Sequence, residues 1–442
     1  MSEPAQPQAA EVKVGPVRLE RGIRKSHFWT FMYASFICIG MLAGMNFLQS
    51  YVLTEHLQVP LDKQGSITGD LALWTEIIAI LLIVPFGILS DRIGRRPVMV
   101  IGTLFVAGGY ALFPFASSVA ELIACRVVFA IGAAALSALI AVVGNDYTQE
   151  VSRGRLFGFM GLMNGLGVIF MSLVIARIPA VLTAKGVDPV VAGIAMFLAA
   201  AGLCVVSAMI FARGLKGGTP AEPGERLPLK VLITSGLRAA SNPRVALAYG
   251  AAFAGRGDNA VKGLFVSLWA VQLAPVIGMT VPEALAGAGK LMGLMGAVIL
   301  VWTPLFGYLL DRLDRVTGMA LAMGLAGLGY TSMMFIDNPL ASSSIPLFVL
   351  LAIGQGSAII GSVTLVGQEA PPKERGTVVA TSGMFGAVGI LIATGLGGRL
   401  FDAFGPSAPF VFVGVLQLIL FVVAVLIRIA GAGRAQTGSQ AD

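Results

Sequence analysis

The chain has 442 residues, of which 56% are hydrophobic and only 12% charged, with a mean hydropathy of +0.86. Soluble domains carry about 25% charged residues, and here apolar stretches of about twenty residues recur from end to end, which leaves no room for a separate soluble domain. The net charge of +7 lies in short loops between those stretches and builds no basic face, which excludes nucleic-acid binding. Cys38, Cys125 and Cys204 sit singly in apolar segments, a pattern that suggests neither a disulfide framework nor a metal site.

The first twenty residues are polar and lack the short apolar core and small-residue cleavage site of a secretory signal, so the first helix is expected to remain as an anchor. Windows of about twenty residues predict six spans at Phe28 to Leu53, Ile67 to Leu89, Val98 to Phe115, Leu122 to Val143, Leu156 to Ile175 and Val190 to Phe211. Six more follow at Val245 to Leu273, Leu291 to Leu310, Thr317 to Phe335, Ile345 to Gly367, Thr377 to Leu396 and Ala408 to Ile429. The expected organisation is an N-terminal tail (1–27), a six-helix bundle (28–213), a linker (214–244), a second six-helix bundle (245–430) and a C-terminal tail (431–442). Within the linker, Arg226 to Arg238 places apolar residues at helical spacing beside basic ones. Such a helix lies in the membrane interface or serves as a plain tether.

Basic loops are retained on the cytoplasmic side of a membrane. With the N-terminus inside, 22 of the 30 Lys and Arg residues fall on inner segments, while Lys63, Arg177, Lys185, Lys290 and Arg399 fall on outer loops. Both termini are therefore expected in the cytoplasm, with the protein in the inner membrane.

An internal repeat is legible. Pro85-Phe-Gly87-Ile-Leu-Ser-Asp91-Arg92-Ile-Gly-Arg95 recurs as Pro304-Leu-Phe-Gly307-Tyr-Leu-Leu-Asp311-Arg312-Leu-Asp-Arg315, and Arg153-Gly154 recurs as Arg375-Gly376. The chain reads as a duplicated six-helix unit. The run Gly87-Ile-Leu-Ser-Asp91-Arg92-Ile-Gly94-Arg95-Arg96-Pro97, after the second helix, resembles the signature of the major facilitator superfamily. Leu122-Ile-Ala-Cys-Arg126 with Gly132 is similar to that family's second motif, although Ala130 stands where a glycine is expected. The resemblance implies an all-α membrane protein of about twelve transmembrane helices in two pseudo-symmetric six-helix bundles. It also implies a path lined by the first, fourth, seventh and tenth helices. The fifth helix, Gly161-Leu-Met-Asn164-Gly165-Leu-Gly167, lacks the Gly-Pro motif usual in drug-exporting proton antiporters, which argues against a multidrug exporter.

The signature loop is expected to form a cytoplasmic gate. Gly87 lets two helices approach, and Asp91 can pair with Arg95 and face the positive N-terminal end of the eleventh helix. Arg92, Gly94, Arg95 and Arg96 belong to the same element, echoed by Asp311 and Arg312, and the arginines also fix topology.

Ionisable residues at membrane depth need a partner, a wet cavity or a neutral state. The seventh helix carries Arg256, Asp258, Asn259 and Lys262, roughly 16 to 26 Å in from Val245. Asp258 and Lys262, four apart with the acid first, suit a pair on one face, and Arg256 points almost the opposite way. The glycines at 255 and 257 would let the helix bend or unwind there, as in many transporter sites. Arg256 or Lys262 is a candidate for an anionic substrate group and Asp258 for proton exchange, against the plainer reading of an ion network between helices. Glu76, placed about two turns below the outer end of the second helix, is a second candidate proton carrier. Arg126 either snorkels outward or acts in coupling, as the resemblance implies. Asn46 and Gln49 in the first helix, Asn164 in the fifth and Gln355 in the tenth are candidate cavity-lining polar groups.

Gly287-Ala-Gly-Lys290 lacks the Ser or Thr and the spacing of a phosphate loop, so direct ATP coupling is not expected. No catalytic constellation, metal site or cofactor is expected. The expectation is a monomeric secondary transporter in the lipid bilayer, not an enzyme. It would be proton-coupled, moving a small organic solute, an anion or amphiphile, by alternating access, with a drug or metabolite antiporter as the alternative and a non-transporting sensor as the remote one.

Overall fold

In the computed structural model, which describes residues 12–218, 236–369 and 375–438, side-chain caps set many helix starts. Ser118 accepts from the Glu121 amide, Asp188 from Val190 and Val191, Asn242 from Arg244, and Asp314 from Val316 and Thr317, each satisfying amides that a helix leaves unpaired. Thr280 and Glu283 form a capping box. Twelve long helices result among the described residues. They are α1 Lys25–Tyr51, α2 Leu61–Ile93, α3 Arg95–Leu112, α4 Val119–Tyr147, α5 Arg153–Phe170, α6 Pro189–Gly214, α7 Pro243–Leu273, α8 Val281–Leu310, α9 Arg315–Thr331, α10 Ile345–Glu369, α11 Arg375–Phe404 and α12 Ala408–Gly438.

Among the described residues, eleven helices are long and apolar enough to cross a membrane. The twelfth, α7, has the length at 31 residues but carries Arg256, Asp258 and Lys262 through its middle. Several ends differ from expectation. α2 runs from Leu61 to Ile93 instead of Ile67 to Leu89, because Pro60 starts it and Gly94, at φ 98°, ends it in a conformation that favours glycine. Glu76 is therefore fifteen residues into α2, near its middle, and not two turns from its end. α11 extends through Arg399 and Asp402, and α12 continues past Ile429 to Gly438. Residues 171–175 form a π-turn after α5, followed by a short helix, Ile178–Thr183. The expected interfacial helix from Arg226 falls largely on 219–235, outside the described residues. Ahead of α1, a hairpin of Lys13–Val14 with Val17–Arg18 is fastened to the α4–α5 connection through Arg18 N to Ser152 Oγ (2.9 Å) and Glu20 N to the Tyr147 carbonyl (3.0 Å).

Helices in lipid gain little from burying apolar surface against one another, so close backbone approach and dispersion hold them. Glycines supply that approach. A Cβ on Gly354 would lie 2.5 Å from the Leu325 carbonyl oxygen, and one on Gly109 would lie 2.5 Å from the Phe129 Cβ. The same device builds the seam between the bundle α1–α6 and the bundle α7–α12. Gly65 and Gly69 of α2 lie on Gly398 and the Thr394 carbonyl of α11; Gly289 of α8 lies on the Ser172 carbonyl, and Gly293 and Gly296 lie on Leu173 and Ile169. Polar contacts reinforce the α2–α11 side. Asp402 accepts from the Gly65 and Ser66 amides (2.8 and 2.7 Å), Arg399 pairs with Asp70 (2.9 Å), and Gln272 donates to the Leu61 carbonyl (3.0 Å).

All of these contacts lie in the half of the molecule remote from where α1 begins, the distal half. Toward the opposite, terminal face the bundles part. Gly87 of α2, Gly161 of α5, Gly307 of α8 and Gly383 of α11 have nothing within 4 Å of an added Cβ. Core packing follows the same division. One apolar cluster runs from the first bundle across the distal seam into Val261–Val271 and Ala284–Met295, while the terminal half of the second bundle keeps its own cluster around Tyr249, Phe306 and Met319. A cleft between the bundles therefore opens on the terminal face.

Candidate functional site

The α7 helix is unbroken through Gly255, Arg256 and Gly257, so the expected bend or unwinding is absent. The glycine at 257 serves packing instead: with Gly389 it brings α7 and α11 to backbone contact, a Cβ on Gly257 falling 3.0 Å from the Gly389 carbonyl oxygen. An intact helix turns about 100° per residue, so Arg256 and Asp258 project to nearly opposite sides.

Asp258 points into the second bundle and is fully buried. Gln417 Nε2 of α12 donates to its Oδ2 (2.6 Å), and the Tyr330 hydroxyl of α9 donates to its backbone carbonyl (3.0 Å). Its Oδ1 has no hydrogen-bond partner among the described residues. Lys262, one turn on, does not form the expected ion pair with Asp258. Its Nζ donates to Gln355 Oε1 of α10 (2.5 Å), and Gln355 Nε2 donates to Asn259 Oδ1 (3.2 Å). A neutral amide thus meets each buried charge.

Arg256 lies on the other side of α7, exposed, its stem packed on Gly386 of α11. Gly65, Gly69 and Leu73 form a stripe of α2 that meets α11 at Gly398, Thr394 and Gly395. Glu76, three residues on, continues the stripe. Carrying on the antiparallel register of Gly65 opposite Gly398 and Gly69 opposite Thr394 brings Ile77 opposite Gly386. Glu76 and Arg256 therefore stand at one level, where the seam ends and the cleft begins. They interact electrostatically.

Arg126 does not snorkel. It is wholly buried, with Nε donating to Thr75 Oγ1 of α2 (2.8 Å), another guanidinium nitrogen donating to Asn46 Oδ1 of α1, and its Cζ 5.1 Å from the Phe129 ring centroid. Among the described residues no carboxylate pairs with it, and its third nitrogen has no partner. Side chains on α1 and α2 reach Arg126 before it could reach the interface. Gln49 is buried one turn beyond Asn46, with neither end of its amide bonded among the described residues. Asn164 ties α5 to α1: in the amide orientation that satisfies both ends, its nitrogen donates to the Ser35 carbonyl (2.9 Å).

At the terminal face Arg95 pairs with Asp91 (2.5 Å) and Asp146 (3.0 Å), joining the α2–α3 turn to the end of α4. Gly94 and Arg96 back onto Gly218 and Gly217 behind α6, and Arg92 is exposed. Gly87 makes no close helix contact, contrary to expectation, because it lies where the bundles have parted. In the second half Asp311 is exposed and Arg312 lies 4.4 Å above the Tyr308 ring.

Sequence reasoning missed Gln417, Tyr330, Thr75 and Asp402. The signal for Gln417 was present: it is the one polar side chain between Ser407 and Arg428, and an isolated polar group in a span needs a partner.

A family model described as Major Facilitator Superfamily matches residues 31–352 and 303–441. The chain is similar to Magnetosome protein MamH of Paramagnetospirillum magneticum, 29% identical over 421 residues that cover 93% of this chain and 92% of that protein. It is 27% identical to Magnetosome protein MamZ of the same organism, covering 90% of this chain and 62% of MamZ. Among solved structures, nucleoside transporter NupG superposes with a TM-score of 0.69 at 14% identity, covering 91% of this chain and 99% of that one. Peptide transporter POT in complex with sulfate gives 0.68 at 13% identity, covering 93% and 95%. At these identities the likeness to the solved structures is one of fold.

Proposed function

The chain belongs to the major facilitator superfamily, and from that premise we propose that it is a proton-coupled secondary transporter of a small organic solute bearing an anionic group, working by alternating access. The protein is a multi-pass membrane transporter and not an enzyme. The observation that carries the finer reading is the one-sided seam: the bundles are packed through the distal half and separate toward the terminal face, with Arg256 exposed where they separate. With basic loops on the cytoplasmic side, the terminal face is cytoplasmic in the inner membrane and this state is open inward. Rocking of the bundles about the level of Arg256 and Glu76 presents the site to the other side.

Arg256 holds the anionic group, and Asp258 carries the proton. An acid inside a membrane whose partners change between states can take up and release a proton as they change. Asn259 links Arg256's side of α7 to Gln355 and Lys262, so a change at the cleft reaches the buried amides.

Reconstitution into liposomes holding a pH-sensitive dye, challenged with a panel of organic carboxylates and amines, tests this reading. Symport acidifies the lumen on addition of the carried solute; antiport, the alternative, makes it more alkaline when the solute enters against protons. Solute flux indifferent to an imposed pH gradient would remove the coupling.

The similarity over nearly the whole chain to Magnetosome protein MamH favours a second reading for location, a magnetosome membrane in place of the bulk inner membrane. Cofractionation of the tagged chain with one membrane or the other decides it.

A further inference from the structure

The buried positions change the charge balance of the cleft. Arg126 is wholly buried and bonded to Asn46 and Thr75; Lys262 is 7% exposed and bonded to Gln355; Asp258 is 0% exposed and bonded to Gln417. Three of the five intramembrane charges are thus turned into the bundles and held there. One cation and one anion remain at the apex, on different bundles: Arg256 from α7, exposed, and Glu76 from α2, half-buried.

Their placement is complementary. Glu76 continues the stripe of Gly65, Gly69 and Leu73 that faces the second bundle, and the α2–α11 register puts it level with Gly386, on which the Arg256 stem lies. Among the described residues the two side chains form no direct ion pair, and neither has a hydrogen-bond partner. Opposite charges at membrane depth that feel each other without touching call for solvation between them by water or by a ligand. A site with one charge of each sign, an exposed Arg256 and a half-buried Glu76 on different bundles, matches a solute that is itself dipolar. A carboxylate with no cationic group gains Arg256 but brings a second negative charge toward Glu76.

We propose that the solute is a small zwitterion, its carboxylate or comparable anionic group on Arg256 and its ammonium group on Glu76. This rests on the reading of Arg256 as the anion-holding residue and adds the second pole. Because the two poles sit on different bundles, the solute bridges them, and its contacts strengthen as the cleft closes. Such differential binding is what drives a conformational equilibrium.

The test uses full-length purified protein and a matched set on one carbon frame: 5-aminopentanoate and norvaline as zwitterions, pentanoate as the anion, pentylammonium as the cation, with three-carbon counterparts. Binding is read by the shift in thermal unfolding. At least one zwitterion should bind about tenfold more tightly than either singly charged relative, corresponding to about 1.4 kcal/mol for the added ion contact. In Glu76→Gln the zwitterion and the carboxylate should become equal, and Glu76→Asp should restore the preference; an unchanged melting midpoint without ligand shows that each variant is folded. In Arg256→Ala, binding of the carboxylate should be lost. If pentanoate binds the native protein as tightly as the zwitterions, the second pole is wrong while the anion reading stands. Tight pentylammonium binding that persists in Arg256→Ala would overturn both. If no member of either frame binds, the zwitterion proposal fails, and the liposome panel alone decides the transport reading.

Discussion

Gln417 of α12 donates a 2.6 Å hydrogen bond to one oxygen of the Asp258 carboxylate in the interior of the second bundle. The other carboxylate oxygen and the Gln417 carbonyl have no partner among the described residues, so two buried acceptors stand beside one donor. Protonation of Asp258 would turn one of its acceptors into a donor. Were Asp258 to take up a proton, the side chain that meets the change would be an amide on a different helix.

Two substitutions separate structure from coupling at this pair. Gln417→Leu leaves a carboxylate oxygen buried without its donor and should destabilise the protein by about 1–3 kcal/mol, read as a lower unfolding midpoint in detergent. Asp258→Asn supplies a donor permanently. It should stay folded, yet carry solute at a rate that no longer responds to an imposed pH gradient; an undiminished pH response would show that the proton travels elsewhere.

Asn46 and Thr75 are the groups that let Arg126 stay inside the first bundle. Removing one leaves an already incompletely bonded guanidinium with a further unpaired N–H. Asn46→Leu should therefore cost about 1–3 kcal/mol, whereas Gln49→Leu, which removes an amide with no partner among the described residues, should be neutral or stabilising. Denaturation of the two variants in the same detergent compares them directly, and equal losses would refute the assignment of Asn46 as Arg126's support.

The contrast between these sites shows what the sequence can convey. Twelve spans were readable because apolar length and the repeated loop from Gly87 to Arg95 are local patterns, and α7 is the weakest of the twelve by apolar character because of the charges through its middle. That Arg256 and Asp258 diverge followed from helix geometry alone. The partners did not follow. Whether Lys262 meets Asp258 or Gln355 depends on how α7 and α10 pack, and the glycines around Arg256 look alike whether they loosen a helix or admit a neighbour. Gly389 across the interface decides for the second, and it lies more than 130 residues away in the chain.

At the terminal face the Arg95 side chain bonds Asp91, Asp146 and Ser90 together. Asp91→Asn removes the shorter of the two ion pairs. If this cluster steers the gate, the variant should reach the membrane in normal amount but transport at a small fraction of the native rate, about tenfold lower or less. Surface labelling alongside flux makes the measurement, and native flux in Asp91→Asn would leave the arginines with a topological role only.

The two sides of the distal seam differ in kind, and that difference predicts which side yields first. The α5–α8 side is apolar, with Gly289, Gly293 and Gly296 against Ser172, Leu173 and Ile169. The α2–α11 side adds the carboxylate of Asp402 accepting two backbone amides and the exposed pair Arg399 with Asp70. Hydrogen bonds to a charged group contribute about 1.5–3 kcal/mol each, while an exposed ion pair contributes about 0–1 kcal/mol. Asp402, and not Arg399, should therefore hold this side shut. A thiol introduced by Ser66→Cys should react with an impermeant maleimide about tenfold faster when Asp402→Ala is added, and little faster when Arg399→Ala is added. Gly289→Leu should open the other side whatever the state of Asp402, because its Cβ would collide with the Ser172 carbonyl. Were Arg399→Ala to match Asp402→Ala, the exposed pair would be the latch and the carboxylate a bystander.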